Sequence, residues 1–325
     1  MNNVLKILNH RIEECVINEF PKIVFSFSSR SIYNIENLFY SYQNFLINHS
    51  ILISLYDLHY TFNKEKFYEI IQNFKNEVFL DSGVFEAQKT INPSNIYIYN
   101  YQGKSWDREI YDNYLKSIKN RVKNPYIVNF DTYNDLESQV ANSNTYFSEF
   151  DSELKKILLI HPEIGEWNKK DVIKLIKLLF NSERYFNILG ITEKELGLTF
   201  QQKISNIFLF RKTLDELFEG YVPIHIFGCS DPRGIVSYFL SGGDIFDGLG
   251  WIRFYFNRHS SYYKNEFYYD LLNGKTWNND IILHNIQYLN TLSKDLNYSI
   301  INNDFDDFLE ELKVVETILR QNYYI

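Results

Sequence analysis

IHIFGCSDPRGIVSYFLSGGDIFDG, residues 224–248, predicts one complete strand–helix–strand unit. The apolar run Ile224–Gly228 has the length and the β-branched content of a buried strand. The tripeptide Ser230-Asp231-Pro232 then combines a helix cap with proline at the first helical position. A second short apolar run, Ile245–Asp247, predicts the next strand. Since both runs are nearly continuous, they indicate parallel strands that are buried on both faces.

The same alternation of short apolar runs and longer helical stretches extends along most of the chain, as in repeated βα units. Amphipathic segments such as Asp171–Phe180 and Phe200–Phe218 are long enough for crossover helices. In chain order, the predicted strands are Lys22–Ser29, Ile51–Leu58, Glu77–Ser82, Tyr126–Asp131, Ile157–His161, Tyr185–Gly190, Ile224–Gly228 and Ile245–Asp247.

Eight such units predict a (β/α)8 TIM barrel, although an open doubly wound sheet would give a similar pattern. We assign residues 1–258 to the barrel, beginning with an amphipathic helix over Met1–Glu19. Residues 259–325 are assigned to a helical C-terminal extension that packs on the barrel and ends in a helix over Phe305–Asn322. The segment Ala87–Trp106 is too long for a tight βα connection, so we predict a lid or substrate-binding loop there.

Composition indicates a globular protein, with 45% hydrophobic and 23% charged residues in 325. No apolar stretch approaches the ~20 residues of a membrane span, and no signal peptide is recognisable, so a cytoplasmic location is expected. The net charge of −8 argues against a generally basic nucleic-acid-binding coat but leaves room for a local basic patch. The two cysteines, Cys15 and Cys229, form neither a disulfide framework nor a CxxC motif.

Polar residues follow most of the predicted strands, where TIM barrels carry their catalytic groups. A single strand-end aspartate is more often a helix cap, but several at one edge favour a functional site, since crowded carboxylates are costly to ionise. These strand-end residues are Asp57, Asp81, Asp131, His161, Gly190, Cys229, Ser230 and Asp247.

Two motifs are more specific than the strand-end positions. LDSGVFE, residues 80–86, and the stretch from His225 through Pro232 and Asp247 to Arg253 together resemble the tRNA-guanine transglycosylase superfamily. The family motifs read DSGGFQ, MGVG-x-P and D-[MI]-FD, the last followed six residues later by Arg. The second match is the more specific, since six residues keep the family spacing: Gly228, Pro232, Asp244, Phe246, Asp247 and Arg253. Weaker likenesses lie at Phe130-Asp131, Ile160-His161-Pro162 and Leu189-Gly190, so the resemblance runs in order from about residue 20 to 255.

The resemblance implies a role for each matching residue. Asp247 is the nucleophile that attacks the anomeric carbon of the target nucleotide, and Asp81 is the general acid/base. Asp131 and the backbone at Gly190 contact the base, and Arg253 lies near bound phosphate. Such an exchange requires two displacements through a covalent sugar–enzyme intermediate. It also requires a second group, with a tuned pKa, that protonates the departing base and deprotonates the incoming one.

Further candidates have competing interpretations. Ser82 and Glu86 belong to the first motif, and Phe85 is either a stacking residue for the base or part of the core. His161 is a base contact, a metal ligand or a turn residue, and Glu195 either reads the base or completes a capping box with Thr192. The stacking alternative also applies to Tyr133. Five basic residues either contact phosphate or are solvated surface charge: Lys104, Arg108, Arg253, Arg258 and Lys264.

Differences from the family motifs bear on which substrate the chain would use. Glu86 replaces the glutamine that contacts the base, and loss of the amide donors predicts a different base or a different way of holding it. Val84 replaces a glycine, and Gly248 replaces the cysteine after the nucleophile. The chain also lacks the CxCxxC and His that bind zinc in the tRNA enzymes, so no metal, no zinc subdomain and no cofactor is expected. This pattern is more similar to the diverged relatives that insert 7-deazaguanines into DNA.

The sequence therefore predicts an enzyme that replaces guanine in DNA with a 7-deazaguanine such as preQ0. Its partners would be DNA, a free base and helper proteins of a modification system, with no membrane. The same exchange on tRNA is the nearest alternative. A glycoside or nucleoside hydrolase with the same carboxylates and a non-catalytic nucleotide-binding barrel remain open.

Overall fold

The computed structural model describes residues 11–31, 33–87, 104–118, 120–132, 135–150, 154–165, 167–180, 186–263 and 278–322. Eight parallel strands form a closed barrel in the order β1 to β8, and helices follow the strands, so the predicted TIM-barrel fold is confirmed. The barrel strands are β1 Lys22–Phe27, β2 Ser50–Ser54, β3 Val78–Asp81, β4 Pro125–Val128, β5 Lys155–Ile160, β6 Ile188–Thr192, β7 Ile224–Phe227 and β8 Ile245–Gly248.

The helices alternate with these strands. In the first half they are α1 Ile12–Asn18, α2 Ile35–Leu46, α3 Leu55–Tyr60, α4 Lys64–Ile71, α5 Val84–Ala87, α6 Arg108–Ile118 and α7 Leu136–Ser148. In the second half they are α8 Lys169–Phe180, α9 Phe200–Leu217, α10 Pro232–Ser241, α11 Gly250–Arg253, α12 Asn278–Asn302 and α13 Leu309–Gln321, with 3-10 turns at Glu193–Leu196 and Asp306–Phe308. No helix in the described ranges is both long enough and apolar enough to cross a bilayer.

The chain divides into two compact units. The N-terminal unit comprises Val24–Leu159 and Tyr185–Asn187, and the C-terminal unit comprises Met1–Ile23, Ile160–Arg184 and Ile188–Ile325. The predicted boundary at residue 258 falls inside the C-terminal unit, in the turn of an antiparallel hairpin formed by β9 (Phe254–Asn257) and β10 (Ser260–Tyr263). Helix does not begin at 259 as expected, because aromatic residues favour strands and the two turn residues, Arg258 and His259, have the positive φ of a tight hairpin turn.

In the N-terminal unit, β1 to β5 pair in parallel with nearly every strand residue buried. The register places Ser54 beside Asp81, so the carboxyl ends of β2 and β3 are adjacent. The strand predicted over Ile51–Leu58 ends earlier, at Ser54, whose hydroxyl accepts the Asp57 N–H and begins α3. The apolar run continues through this boundary, which is why periodicity did not detect it. Asp57 therefore lies in a helix rather than at the end of a strand.

In the C-terminal unit, the last turn of α1 and the residues that follow it are tied to α12. Asn297 donates to the carbonyl oxygens of Cys15 (3.1 Å) and Phe20 (2.8 Å), and Ser293 donates to that of Pro21 at 2.6 Å. These bonds connect residues more than 270 positions apart in sequence. Side-chain amides that satisfy the carbonyl oxygens at a helix end stop the chain from fraying there.

Candidate active site

Asp247 lies in β8, the position predicted for it, and its carboxylate is held from the neighbouring strand. It is 5% exposed, and His225 in β7 is fully buried. The Nε2 atom of His225 lies 3.0 Å from Oδ1 of Asp247, and the Gly228 N–H donates to the same oxygen at 3.3 Å. Because a carboxylate only accepts hydrogen bonds, Nε2 carries the proton of His225. The pair fixes the orientation of the Asp247 carboxylate.

The loop after β8 explains one departure from the family motif. A Cβ atom at Gly248 would lie 2.8 Å from the Ser230 Oγ and 3.1 Å from the Gly228 carbonyl carbon. Ser230 occupies this space because its hydroxyl accepts the Gly250 N–H at 2.7 Å. A cysteine in place of Gly248 would require Ser230 to move and so would disturb its bond to Gly250. The Ser230-Asp231-Pro232 cap is confirmed: Asp231 accepts the Gly234 N–H and proline begins α10.

Asp244, which keeps the family spacing, has a structural role that the sequence analysis did not identify. It is fully buried, and its carboxylate accepts hydrogen bonds from Arg11, from the Tyr221 hydroxyl and from the Ile224 N–H. Arg211, also fully buried, lies 3.6 Å from it. These bonds hold the start of β7 against the start of β8, the two strands that carry His225 and Asp247.

His161 and Glu195 form a second histidine–carboxylate pair in the C-terminal unit. Nδ1 of His161 lies 2.8 Å from Oε1 of Glu195, and the Thr192 hydroxyl donates to Oε2 at 2.6 Å. The capping-box interpretation of Glu195 is wrong, because Thr192 makes no side-chain cap bond to the backbone. Both side chains are about 95% buried, and Nδ1 of His161 is the protonated nitrogen, since the glutamate accepts.

Gly190 and two predicted phosphate contacts also lie in this unit. Gly190 is inside β6, two residues before its end, and not at the strand end as predicted, because the β-branched Ile191 and Thr192 extend the strand. Its Cα is paired with that of His225. Arg253, at the end of α11, is half-buried, whereas Arg258 in the hairpin turn is exposed.

In the N-terminal unit, Asp81 ends β3 and accepts the Gly83 N–H at 3.2 Å. Ser82 is fully buried, and its hydroxyl lies 3.2 Å from Oδ2 of Asp131 and also accepts the Val84 N–H. The structure therefore brings Ser82 and Asp131 together, with Ser82 oriented towards the aspartate. Asp81 remains half-buried.

Glu86 belongs to a buried cluster with Ser28 and Asp57, of which the sequence indicated Glu86 and Asp57 but not Ser28. It is 4% exposed, and Oε1 lies 2.5 Å from the Ser28 hydroxyl at the end of β1. Burial, together with the nearby charges of Asp57 and Asp81, raises the pKa of Glu86 well above its ordinary value. Burial also raises the pKa of Asp57 to about 6, opposed by hydrogen bonds from Ser29 and Ser54. Ser28 had no signal in the sequence, because it lies inside the strand predicted over Lys22–Ser29, whereas β1 ends at Phe27.

Three other predicted contacts also lie in the N-terminal unit. Phe85 is half-buried, with the Arg30 guanidinium 5.9 Å from its ring centroid. Lys104 and Arg108 are exposed and lie over the rings of Tyr60 and Tyr146. The remaining predictions, namely Tyr133, Lys264 and most of the loop Ala87–Trp106, lie outside the described residues.

No protein-family model and no curated protein sequence matches the chain. Within the described ranges, no three His, Cys, Asp or Glu side chains are grouped as metal ligands. Chemically, the site residues offer an oriented buried carboxylate in Asp247, a half-buried carboxylate in Asp81 and a buried acid of raised pKa in Glu86.

Proposed function

We propose that the protein exchanges a guanine in nucleic acid for a free 7-deazaguanine-type base, with Asp247 as the nucleophile. The observation that carries this proposal is the buried Asp247 carboxylate at the end of β8, with one oxygen bound by His225 and Gly228. A nucleophile has to be held in one orientation to attack a carbon atom in line. The sequence motif around Asp247 supports the same assignment.

The reaction has two displacements. An Asp247 oxygen attacks C1′ of the target nucleotide, a C–O bond forms, and the C1′–N bond to guanine breaks with its electron pair on the base. Asp81 protonates the departing base and then takes a proton from the incoming one. The incoming ring nitrogen attacks C1′, the C1′–O bond breaks and the Asp247 carboxylate is restored. Two inversions give net retention at C1′.

Contacts to the base are assigned to polar groups of each unit. Asp131, oriented by Ser82, accepts N–H groups of the base. Glu86 also contacts the base. His161, oriented by Glu195, is proposed to contact the base as well. The target nucleotide has to leave its stack to reach such groups, as in other enzymes that modify bases.

DNA is the proposed carrier of the target base. The support is the absence from the sequence of the cysteine ligands on which the tRNA enzymes build a zinc subdomain, since the chain has only two cysteines. Lys104, Arg253 and Arg258 are proposed to contact phosphates, which position nucleic acid without reading its sequence.

The first test traps the covalent intermediate. Purified protein is incubated with guanine-containing oligonucleotides, as DNA and as tRNA, without free base, and resolved on a denaturing gel. We expect a protein–DNA adduct that disappears when 7-deazaguanine is added, because the incoming base completes the exchange. The Asp247→Asn variant should give no adduct, since an amide is a poor nucleophile.

The matched control is Asp231→Asn, the same chemical change at an exposed helix cap, where asparagine caps equally well. It should form the adduct as the wild type does. Nucleoside mass spectrometry of DNA and tRNA from expressing cells completes the test. A modified nucleoside confined to tRNA would contradict the DNA assignment, and loss of guanine without replacement would favour a hydrolase. An adduct that persists in Asp247→Asn would refute the nucleophile.

A further inference from the structure

Glu86 is held by one of its two carboxyl oxygens only. The Ser28 hydroxyl lies 2.5 Å from Oε1, whereas Oε2 is buried and has no hydrogen-bond partner among the described residues. Its side chain comes from the one-turn helix α5, directly after the carboxyl end of β3. A buried polar oxygen without a partner costs ~1–3 kcal/mol, so such an atom calls for a partner such as a water molecule, an ion or a ligand.

The surroundings of Glu86 disfavour a negative charge. Asp57 on α3 and Asp81 at the end of β3 both act on it electrostatically, and both raise the pKa of its carboxyl group. Asp57 is itself fully buried, and its Oδ2 accepts the Ser29 N–H at 2.8 Å, which favours its ionised form. Two buried carboxylates that interact through a low dielectric do not ionise together easily. The proton therefore stays on Glu86.

We propose that Glu86 is a specificity-determining residue that remains a neutral carboxylic acid and donates a hydrogen bond from Oε2 to a carbonyl oxygen of the bound base. The inference rests on the proposed function, because it assumes that a base occupies this site. The proposed ligand is neutral, and the acceptor is the lactam oxygen of a guanine or a 7-deazaguanine. A cationic amine is the ligand that an ionised cluster would attract instead.

This assignment changes the expectation drawn from the sequence. An ionised glutamate in place of glutamine would lose the donors of the amide, but a protonated glutamate retains one donor and acceptor capacity. Glutamine at the same position provides both as well, with its oxygen towards Ser28 and its NH2 towards the base. The Glu86→Gln variant should therefore retain binding while losing its dependence on protonation.

The first measurement is the affinity of the full-length protein for free 7-deazaguanine by calorimetry between about pH 6 and about pH 9, where an unperturbed glutamate is fully ionised. For the wild type, we expect the affinity to fall about tenfold for each pH unit above the pKa of Glu86. In Glu86→Gln, the affinity should change only as far as the base itself titrates. Glu149→Gln, the same change at an exposed position in the N-terminal unit, should behave as the wild type.

The second measurement needs no ligand. Infrared spectroscopy of the unliganded protein at neutral pH should show a protonated carboxyl C=O band that is lost in Glu86→Gln and retained in Glu149→Gln. If this band is absent, or if wild-type affinity follows that of Glu86→Gln at every pH, the inference about Glu86 is overturned and base exchange is untouched. If the band is present but no base binds at any pH, the proposed function fails and the hydrogen bond to a base fails with it. If an amine-bearing base binds more tightly as the pH rises, Glu86 is ionised together with its neighbouring carboxylates and the inference about Glu86 is wrong.

Discussion

Replacing Asp244 with asparagine removes the charge that neutralises the buried Arg11. The buried Arg211 lies 3.6 Å from the same carboxylate and also has Asp215 as a counter-ion at 2.8 Å. Arg11 and Arg211 are 1% and 0% exposed, and both lie against the Asp244 carboxylate. Asparagine has nearly the same volume and keeps one acceptor oxygen, so the change tests charge rather than packing. Arg11 keeps its bonds to the carbonyl oxygens of Phe239 and Gly243, each at 2.8 Å.

The expected loss follows from leaving buried charge uncompensated. Removing one partner of a buried ion pair costs about 3–5 kcal/mol, and here the charge of Arg11 stays buried without the carboxylate that neutralised it. The amide also faces the Ile224 N–H with only one oxygen, where the carboxylate used one oxygen for Ile224 and the other for Arg11 and Tyr221. We expect Asp244→Asn to lower the free energy of unfolding by about 3–5 kcal/mol.

Urea denaturation at 25 °C, followed by tryptophan fluorescence, measures this loss. The control is Glu216→Gln, the same chemical change in an ion pair with Lys169 whose side chains are 43% and 57% exposed. An exposed pair contributes less than about 1 kcal/mol, so this variant should unfold almost as the wild type does. If the two variants lose the same small amount, the argument that Asp244 holds the strands through buried charge is wrong.

Two further predictions concern the N-terminal unit. The pKa of Asp57 is about 6 in the folded protein against 3.8 unfolded, so its stabilising effect is complete below pH ~4 and is lost as pH rises through 6. Relative to Asp57→Asn, the wild type should therefore lose about 3 kcal/mol of unfolding free energy across this pH range. Urea titrations at several pH values measure this loss. If the unfolding free energies of the two proteins change in parallel with pH, the raised pKa of Asp57 is contradicted. Gly83 has a φ of +80°, and an added Cβ would lie 2.5 Å from the Tyr56 Cβ, so Gly83→Ala should cost at least about 2 kcal/mol. Gly165→Ala, where a Cβ meets nothing within 4 Å, should cost less than about 0.5 kcal/mol, and equal melting temperatures of the two variants would refute the steric argument.

The barrel was predictable because its signal is local. Parallel strands buried on both faces give apolar runs wherever they occur, and each run here lies within a few residues of an observed strand. The boundaries were less certain where apolar residues continue past a strand. After β2, only the hydroxyl of Ser54 separates strand from helix, and its capping bond to Asp57 depends on backbone geometry.

The candidate site was predictable only as a set of residue types. Asp247 could be singled out by its motif, but its partner His225 is one residue in an apolar run, and nothing local shows that strand pairing brings the two together. The bond between Ser28 and Glu86 joins residues 58 positions apart. The protonation state of Glu86 depends on burial and on Asp57, which are properties of the folded chain alone. The sequence therefore indicated an ionised glutamate where the structure favours an acid.

The tie between α1 and α12 has a consequence for the order of events during synthesis. Asn297 and Ser293 bond to carbonyl oxygens made more than 270 residues earlier. At ~5–20 residues per second, ribosomes need roughly 15–55 s to make that length of chain. Arg11 likewise waits for Asp244, 233 residues later, before its charge has a buried partner. Helix α1 is therefore among the last elements to be fixed in place, and until then a chaperone or a protease can reach it.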